Sequence, residues 1–215
     1  MKKSVVFDEY AVRDVLAGRK TQMRLPCKIT VNGNQKVEHT LALDVHFPET
    51  NKDGLCANFY GNKGTTDEPL YYIGASQQPY SIGDVIYVRE TIGYGYYAAW
   101  DDKTYYKADY PDESPNFVAK WVPAAAMPKE DARLFLRITG VGVQRLQDIS
   151  FEDCKREGIW DDYKTDSEKY HENLQRMAYP KKFRELWDAK WNNRNRSYFA
   201  WDNDPWVWVI SFAIG

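Results

Sequence analysis

The spacing of apolar residues changes along this chain, and each spacing predicts an element. Val5, Val6 and Phe7 read as a short strand. Asp8 then caps a helix that carries Val12, Val15 and Leu16 on one face and stops at Gly18. Phe7 and Val12 stand at the hydrophobic-staple positions around that cap. Residues 19–25 leave the helix with mixed polar and apolar side chains, and Pro26 restricts the backbone at the end of that segment. Strands are expected over 40–47, 55–60 and 70–73, between turns at Asn32-Gly33-Asn34, Asp53-Gly54 and Gly61-Asn62-Lys63-Gly64. This stretch, about 28–78, reads as a β-rich insertion in a compact core.

Tyr80-Ser81-Ile82-Gly83-Asp84 is a turn that feeds a strong strand over 85–91. A hairpin is expected within 92–110, ending over 104–108, and 111–127 reads as a proline-containing surface loop. Residues 133–146 are a long β-rich run, with Gly140 and Gly142 suggesting a bend or bulge. Ser150 and Asp153 frame a capping box whose helix stops at Gly158. Thr165 and Glu168 frame another, before a helix with Tyr170, Leu174 and Met177 on one side. Pro180 opens the next helix, with the stripe Phe183, Leu186, Trp187, and a strand over 205–213 closes the chain. Strands at both ends and in the middle, with helices in the connections, predict an α+β single domain. Its centre is a mainly antiparallel β-barrel with peripheral helices.

Net charge is -2, so there is no global basic field, and any nucleic-acid contact must come from a local patch. Aromatic residues make up 15% of the chain, which calls for an aromatic core, a stacking surface, or both. Cys27, Cys56 and Cys154 are widely spaced and read as reduced thiols. His39, His46 and His171 form no ligand motif, so no structural metal is expected, and nothing calls for a cofactor. The N-terminus has no long apolar stretch and the run Trp206–Ile210 is too short to span a bilayer. A cytoplasmic protein without a membrane partner is the expectation. No phosphate-binding glycine loop, G-x-S-x-G or H-E-x-x-H motif is present.

Three clusters can carry chemistry. Arg19, Lys20 and Arg24 crowd the end of the first helix; in an extended segment Lys20, Gln22 and Arg24 share one face, able to meet a phosphate or a base edge. The same residues also fit a solvated basic helix end. In the strand over 85–91, Ile86, Val88 and Glu90 share a face, with Arg89 on the other. A carboxylate in line with core residues is costly unless paired, so Glu90 sits either at a wet rim or against a cation such as Lys20 or Arg24. The third cluster is aromatic, Tyr198 to Trp206, preceded by Arg194 and Arg196. Trp208 reads as core, and Trp201 remains open for stacking.

Together these stretches resemble ASCH domains, relatives of the PUA RNA-binding fold. Leu16-Ala17-Gly18-Arg19-Lys20-Thr21-Gln22 is similar to their G-x-K signature, and 80–91 to their G-D turn into a V-R-E strand. Leu146-Gln147-Asp148-Ile149, with Asp153 and Glu157-Gly158-Ile159, resembles their strand-to-helix junction. Trp201-Asp202 and 203–209 look like the closing strand of the phage and prophage branch. The resemblance runs from about 5 to 213, without 28–78. It implies a PUA-like barrel with a cleft at the G-x-K turn, which binds RNA or modified nucleotides.

The leading expectation is a phage or prophage nucleic-acid-binding protein whose partner is RNA, a nucleotide or a modified nucleoside. Its contacts would be Arg19, Lys20, Gln22, Arg24 and Arg89, with Tyr94 or Trp201 stacking. A small bacterial relative hydrolyses N4-acetylcytidine with a Lys in this turn, a Thr three residues on and a distant Glu. Carried over, that chemistry would use Lys20, Thr21 as a substitute nucleophile, and Glu90. This chain departs from it: Met23 occupies the hydroxyl position, and Leu25 stands where the family has an Arg. Two further readings are a metal-dependent ribonuclease using Glu90 and Asp84, and a protein-interaction module that engages a host factor through 92–106.

Overall fold

The computed structural model describes residues 3–31, 35–36, 44–46, 56–61, 69–95, 103–111, 115–160, 168–191 and 197–215. In chain order the elements are β1 (Ser4–Val6), α1 (Glu9–Leu16), β2 (Gln22–Pro26), β3 (Thr30–Val31), β4 (Gln35–Lys36), β5 (Asp44–His46), β6 (Cys56–Gly61), β7 (Tyr71–Gln77) and β8 (Val85–Arg89). Beyond these lie β9 (Ile92–Gly95), β10 (Thr104–Tyr106), β11 (Val118–Val122), β12 (Phe135–Arg145), α2 (Phe151–Arg156), α3 (Glu168–Trp191) and β13 (Trp206–Ile214). The fold is α+β, mostly strands with few helices. Among the described residues no sheet closes into a barrel. The chain divides into two compact units, one of Met1–Thr21, Ile82–Thr139 and Phe212–Gly215, the other of Gln22–Ser81 and Gly140–Ser211.

In the first unit β1 runs parallel to β8, with Val6 opposite Arg89, and β12 joins β8 antiparallel, with Phe135 opposite Tyr87. The period of two in β8 buries Ile86 and Val88. Asp8 caps α1 by accepting the Ala11 amide at 2.8 Å, and the staple pair Phe7 and Val12 is buried. Gly18 ends the helix with φ +71°, a conformation costly for any side chain. Leu16, expected on the buried face, is 49% exposed. The helix stops there, and Val12 and Val15 alone carry its apolar face.

The stretch 111–127 is not all loop, because β11 lies within it and pairs with β9. Its prolines flank the strand instead of interrupting it, so the backbone donors of 118–122 stay available. The same β9 pairs with β10, which gives the expected hairpin. Gly93 is required at the centre of that sheet: a Cβ there would stand 2.6 Å from Val118 Cγ1 and 3.0 Å from Trp121 Cε3.

The second unit pairs β2 with β13 antiparallel, from Val207 opposite Pro26 to Ser211 opposite Gln22. The expected insertion forms its own sheet in the order β4-β3-β7-β6-β5. Residues 40–43 and the turns at 32–34, 53–54 and 62–64 lie outside the described residues. Ser150 and Asp153 make the expected capping box of α2, and Gly158 ends that segment with φ +91°.

Pro180 does not open a helix; it lies inside α3. An interior proline costs about 3 kcal/mol. Tyr179, Phe183 and Trp187, spaced by four, are all buried in the core with Leu146, Phe151 and Val207. Each such side chain gains about 1.5–3 kcal/mol on burial, which outweighs the break. Leu186, expected in that stripe, is exposed, and so is Met177. The Thr165 capping pattern and the Tyr170 and Leu174 side chains lie outside the described residues.

Candidate functional site

In the first unit the alternation of β8 continues one residue past its end, so the Glu90 carboxylate falls in line with Ile86 and Val88. It is 1% exposed. Its partner is Arg133: Nε donates to Oε1 at 2.9 Å and Nη2 to Oε2 at 3.0 Å. Arg133 Nη1 also donates to Asp109 Oδ2 at 2.7 Å, and the guanidinium stacks 3.9 Å from the centroid of the Tyr106 ring. Burial alone would lower the Arg133 pKa, but hydrogen bonds to Glu90 and Asp109 raise it, so the cation is permanent. The fork, a planar donor pair facing a planar acceptor pair, is the geometry that makes a buried carboxylate tolerable.

Arg19 and Lys20 come directly after α1. The Asp14 carbonyl accepts both of their amides, at 2.8 and 3.0 Å, and the Asp14 carboxylate holds the Arg19 guanidinium at 2.6 Å. This double anchor fixes the turn. Lys20 is buried, 9% exposed, with its ammonium 5.8 Å from the Phe7 ring centroid. The Phe7 amide donates to the Arg89 carbonyl at 3.0 Å. Phe7 therefore touches both segments: its ring meets Lys20, and its backbone meets the neighbour of Glu90. Thr21 is exposed, and its carbonyl accepts from the Phe212 amide at 2.9 Å.

Arg89 Nη1 donates to the Ala125 carbonyl at 2.9 Å, while its buried Nε has no hydrogen-bond partner. The Tyr94 hydroxyl donates to Asp131 Oδ2 at 2.7 Å, which pushes the phenol above its ordinary range. Thr104 donates to the other oxygen of Asp131, so this carboxylate ties β9 to β10. Asp84 is paired with Lys3 at 3.0 Å. Among the described residues no group of His, Cys, Asp and Glu is arranged to hold a metal.

The second unit holds Gln22, Arg24 and Trp201. The Arg24 side chain is 1% exposed; Nη1 donates to Glu157 Oε1 at 2.9 Å and to Gln22 Oε1 at 3.2 Å. Its Nη2 lies 3.2 Å from Asp153 Oδ2, an ion contact without hydrogen-bond geometry, and Nε has no partner. Asp153 stands in the first turn of α2 and Glu157 at its C-cap, so Arg24 clamps both ends of that helix onto β2. Phe183 links the other two candidates: the Arg24 guanidinium lies 5.8 Å from its ring and Trp201 6.1 Å. Burial pushes the neighbouring Cys154 thiol up to about 12, against the opposing pull of the Arg24 charge.

The alternation read from 20 to 24 holds: Lys20, Gln22 and Arg24 are all buried, and Thr21 is not. Sequence reasoning missed Arg133, Asp109, Asp153 and Glu157 as partners. The usable signal for Arg133 is register: with Phe135 opposite Tyr87, Arg133, two residues before the start of β12, comes level with Arg89, beside Glu90. No family model, curated protein or solved structure matches this chain.

Proposed function

We propose that this chain is an ASCH-type nucleic-acid-binding protein of phage or prophage kind, built around a PUA-like barrel, that takes single-stranded RNA or a modified nucleoside. Lys20 and Arg19 meet phosphate, Glu90, buried and held by Arg133, orients the site from beneath without touching the RNA, and Tyr94 stacks beside Arg89. Gln22, Arg24 and Trp201, in the second unit, are assigned RNA contacts of their own.

The observation that carries this reading is the burial of polar groups. Five polar or charged residues are buried among the described residues, and four of them (Lys20, Gln22, Arg24 and Glu90) are the candidates the sequence singles out. A solvated helix end would leave Lys20 and Arg24 in water. Buried ionisable groups are enriched at sites of chemistry and recognition, as well as in structural ion pairs. The test is fluorescence anisotropy of a labelled single-stranded RNA with the wild type and Lys20→Ala. The reading expects binding that falls about tenfold in the variant, the size of one lost charge-assisted contact. Equal affinity would contradict it. N4-acetylcytidine turnover by the wild type, lost in Lys20→Ala, would replace it with the hydrolase reading.

A further inference from the structure

The second unit contains a pocket of about 460 Å³, lined by none of the residues assigned RNA contacts above. Its lining includes Trp208 of β13, Trp191 at the end of α3, Thr30 of β3, Ser76 and Gln77 of β7, and Lys28. Trp208 is almost fully buried and its indole nitrogen donates to Ser76 Oγ at 3.2 Å, so this wall is fixed. Trp191 is held by its neighbours, 5.8 Å from the Trp187 ring, edge-on to Phe199 at 6.1 Å, and with the Lys190 ammonium 5.6 Å from its ring centroid. Lys28 and Gln77 are exposed. No carboxylate is among the described lining residues.

We propose that this pocket is a site for a single nucleotide, with the base against the half-buried Trp191, the Gln77 amide on a base edge, and Lys28 on the phosphate; Trp208, 1% exposed, backs the pocket without offering a face. Flat aromatic surface suits any base, since every base offers a π-face. An amide supplies both a donor and an acceptor, which a base edge needs. Lys28, with no carboxylate beside it among the described lining residues, selects an anion over a cation. The volume falls within the range of about 300–1,000 Å³ typical of small-ligand pockets. The site is independent of the first-unit reading and uses none of its residues.

The ligand is either a free nucleotide or one nucleotide of an RNA strand, and calorimetry separates the two. The probes are AMP, GMP, CMP and UMP, their nucleosides, and a short single-stranded RNA. At least one mononucleotide is expected to bind. Lys28→Ala should weaken it about tenfold and leave the nucleoside unchanged. Gln77→Ala should shift the preference among bases. Both side chains are exposed, so neither variant threatens folding. A strand whose affinity falls with Lys28→Ala indicates a nucleotide of RNA in this pocket; a strand indifferent to Lys28→Ala, with mononucleotide binding lost, indicates a free nucleotide. Lys20→Ala should leave mononucleotide binding intact. The proposal is overturned if no mononucleotide binds at millimolar concentration. It is also overturned if binding survives Lys28→Ala with Gln77→Ala or disappears in Lys20→Ala.

Discussion

Arg133 grips Glu90 through two parallel hydrogen bonds, 2.9 and 3.0 Å long, around a carboxylate that water does not reach. Removing one partner leaves the other charged and desolvated. Arg133→Met should therefore destabilise the protein by about 3–5 kcal/mol in denaturant unfolding. Adding Glu90→Leu to Arg133→Met should restore most of that loss, because an apolar pair of similar volume needs no solvation. A double variant no more stable than Arg133→Met alone would show that the pair is not what makes the position costly.

In the second unit Arg24 is the buried cation that holds Asp153 and Glu157 beside β2. Arg24→Met should cost about 3 kcal/mol and loosen α2 first. Amide exchange over 151–158 should then speed up more than exchange over β8. Uniform acceleration across both units would contradict a local clamp.

The thiols give a pH-dependent check. Cys27 and Cys154 are buried, and burial raises both above the ordinary thiol value of 9.0, Cys154 to about 12. Each holds its proton more tightly folded than unfolded. Their contribution to stability is therefore intact below pH 9.0 and is lost as pH rises, for Cys154 toward about 12. At pH 8, a thiol reagent should label the half-buried Cys56 alone in the native protein and all three cysteines in guanidinium. Rapid native labelling of Cys154 would contradict this burial.

Much of this architecture is local and readable from the sequence. Asp8, Gly18, Ser150 and Gly158 mark their helix ends because capping and left-handed turns depend on a few adjacent residues. The alternation through 86, 88 and 90 places Glu90 in line with the core for the same reason. Its partner is not readable, since Arg133 lies 43 residues away and reaches Glu90 only through the register of β12 on β8. Pro180 misleads because burial of Tyr179, Phe183 and Trp187 overrides a local breaker. In 111–127, prolines at the flanks conceal β11, whose pairing with β9 is set by the close approach at Gly93.

The most direct test of the central claim is the salt dependence of single-stranded RNA binding by the wild type and Lys20→Ala. If the Lys20 ammonium meets a phosphate, the slope of log K against log salt should shrink by about 0.7 in the variant. Parallel lines for the two proteins, with the same affinity throughout, would show that RNA does not contact Lys20.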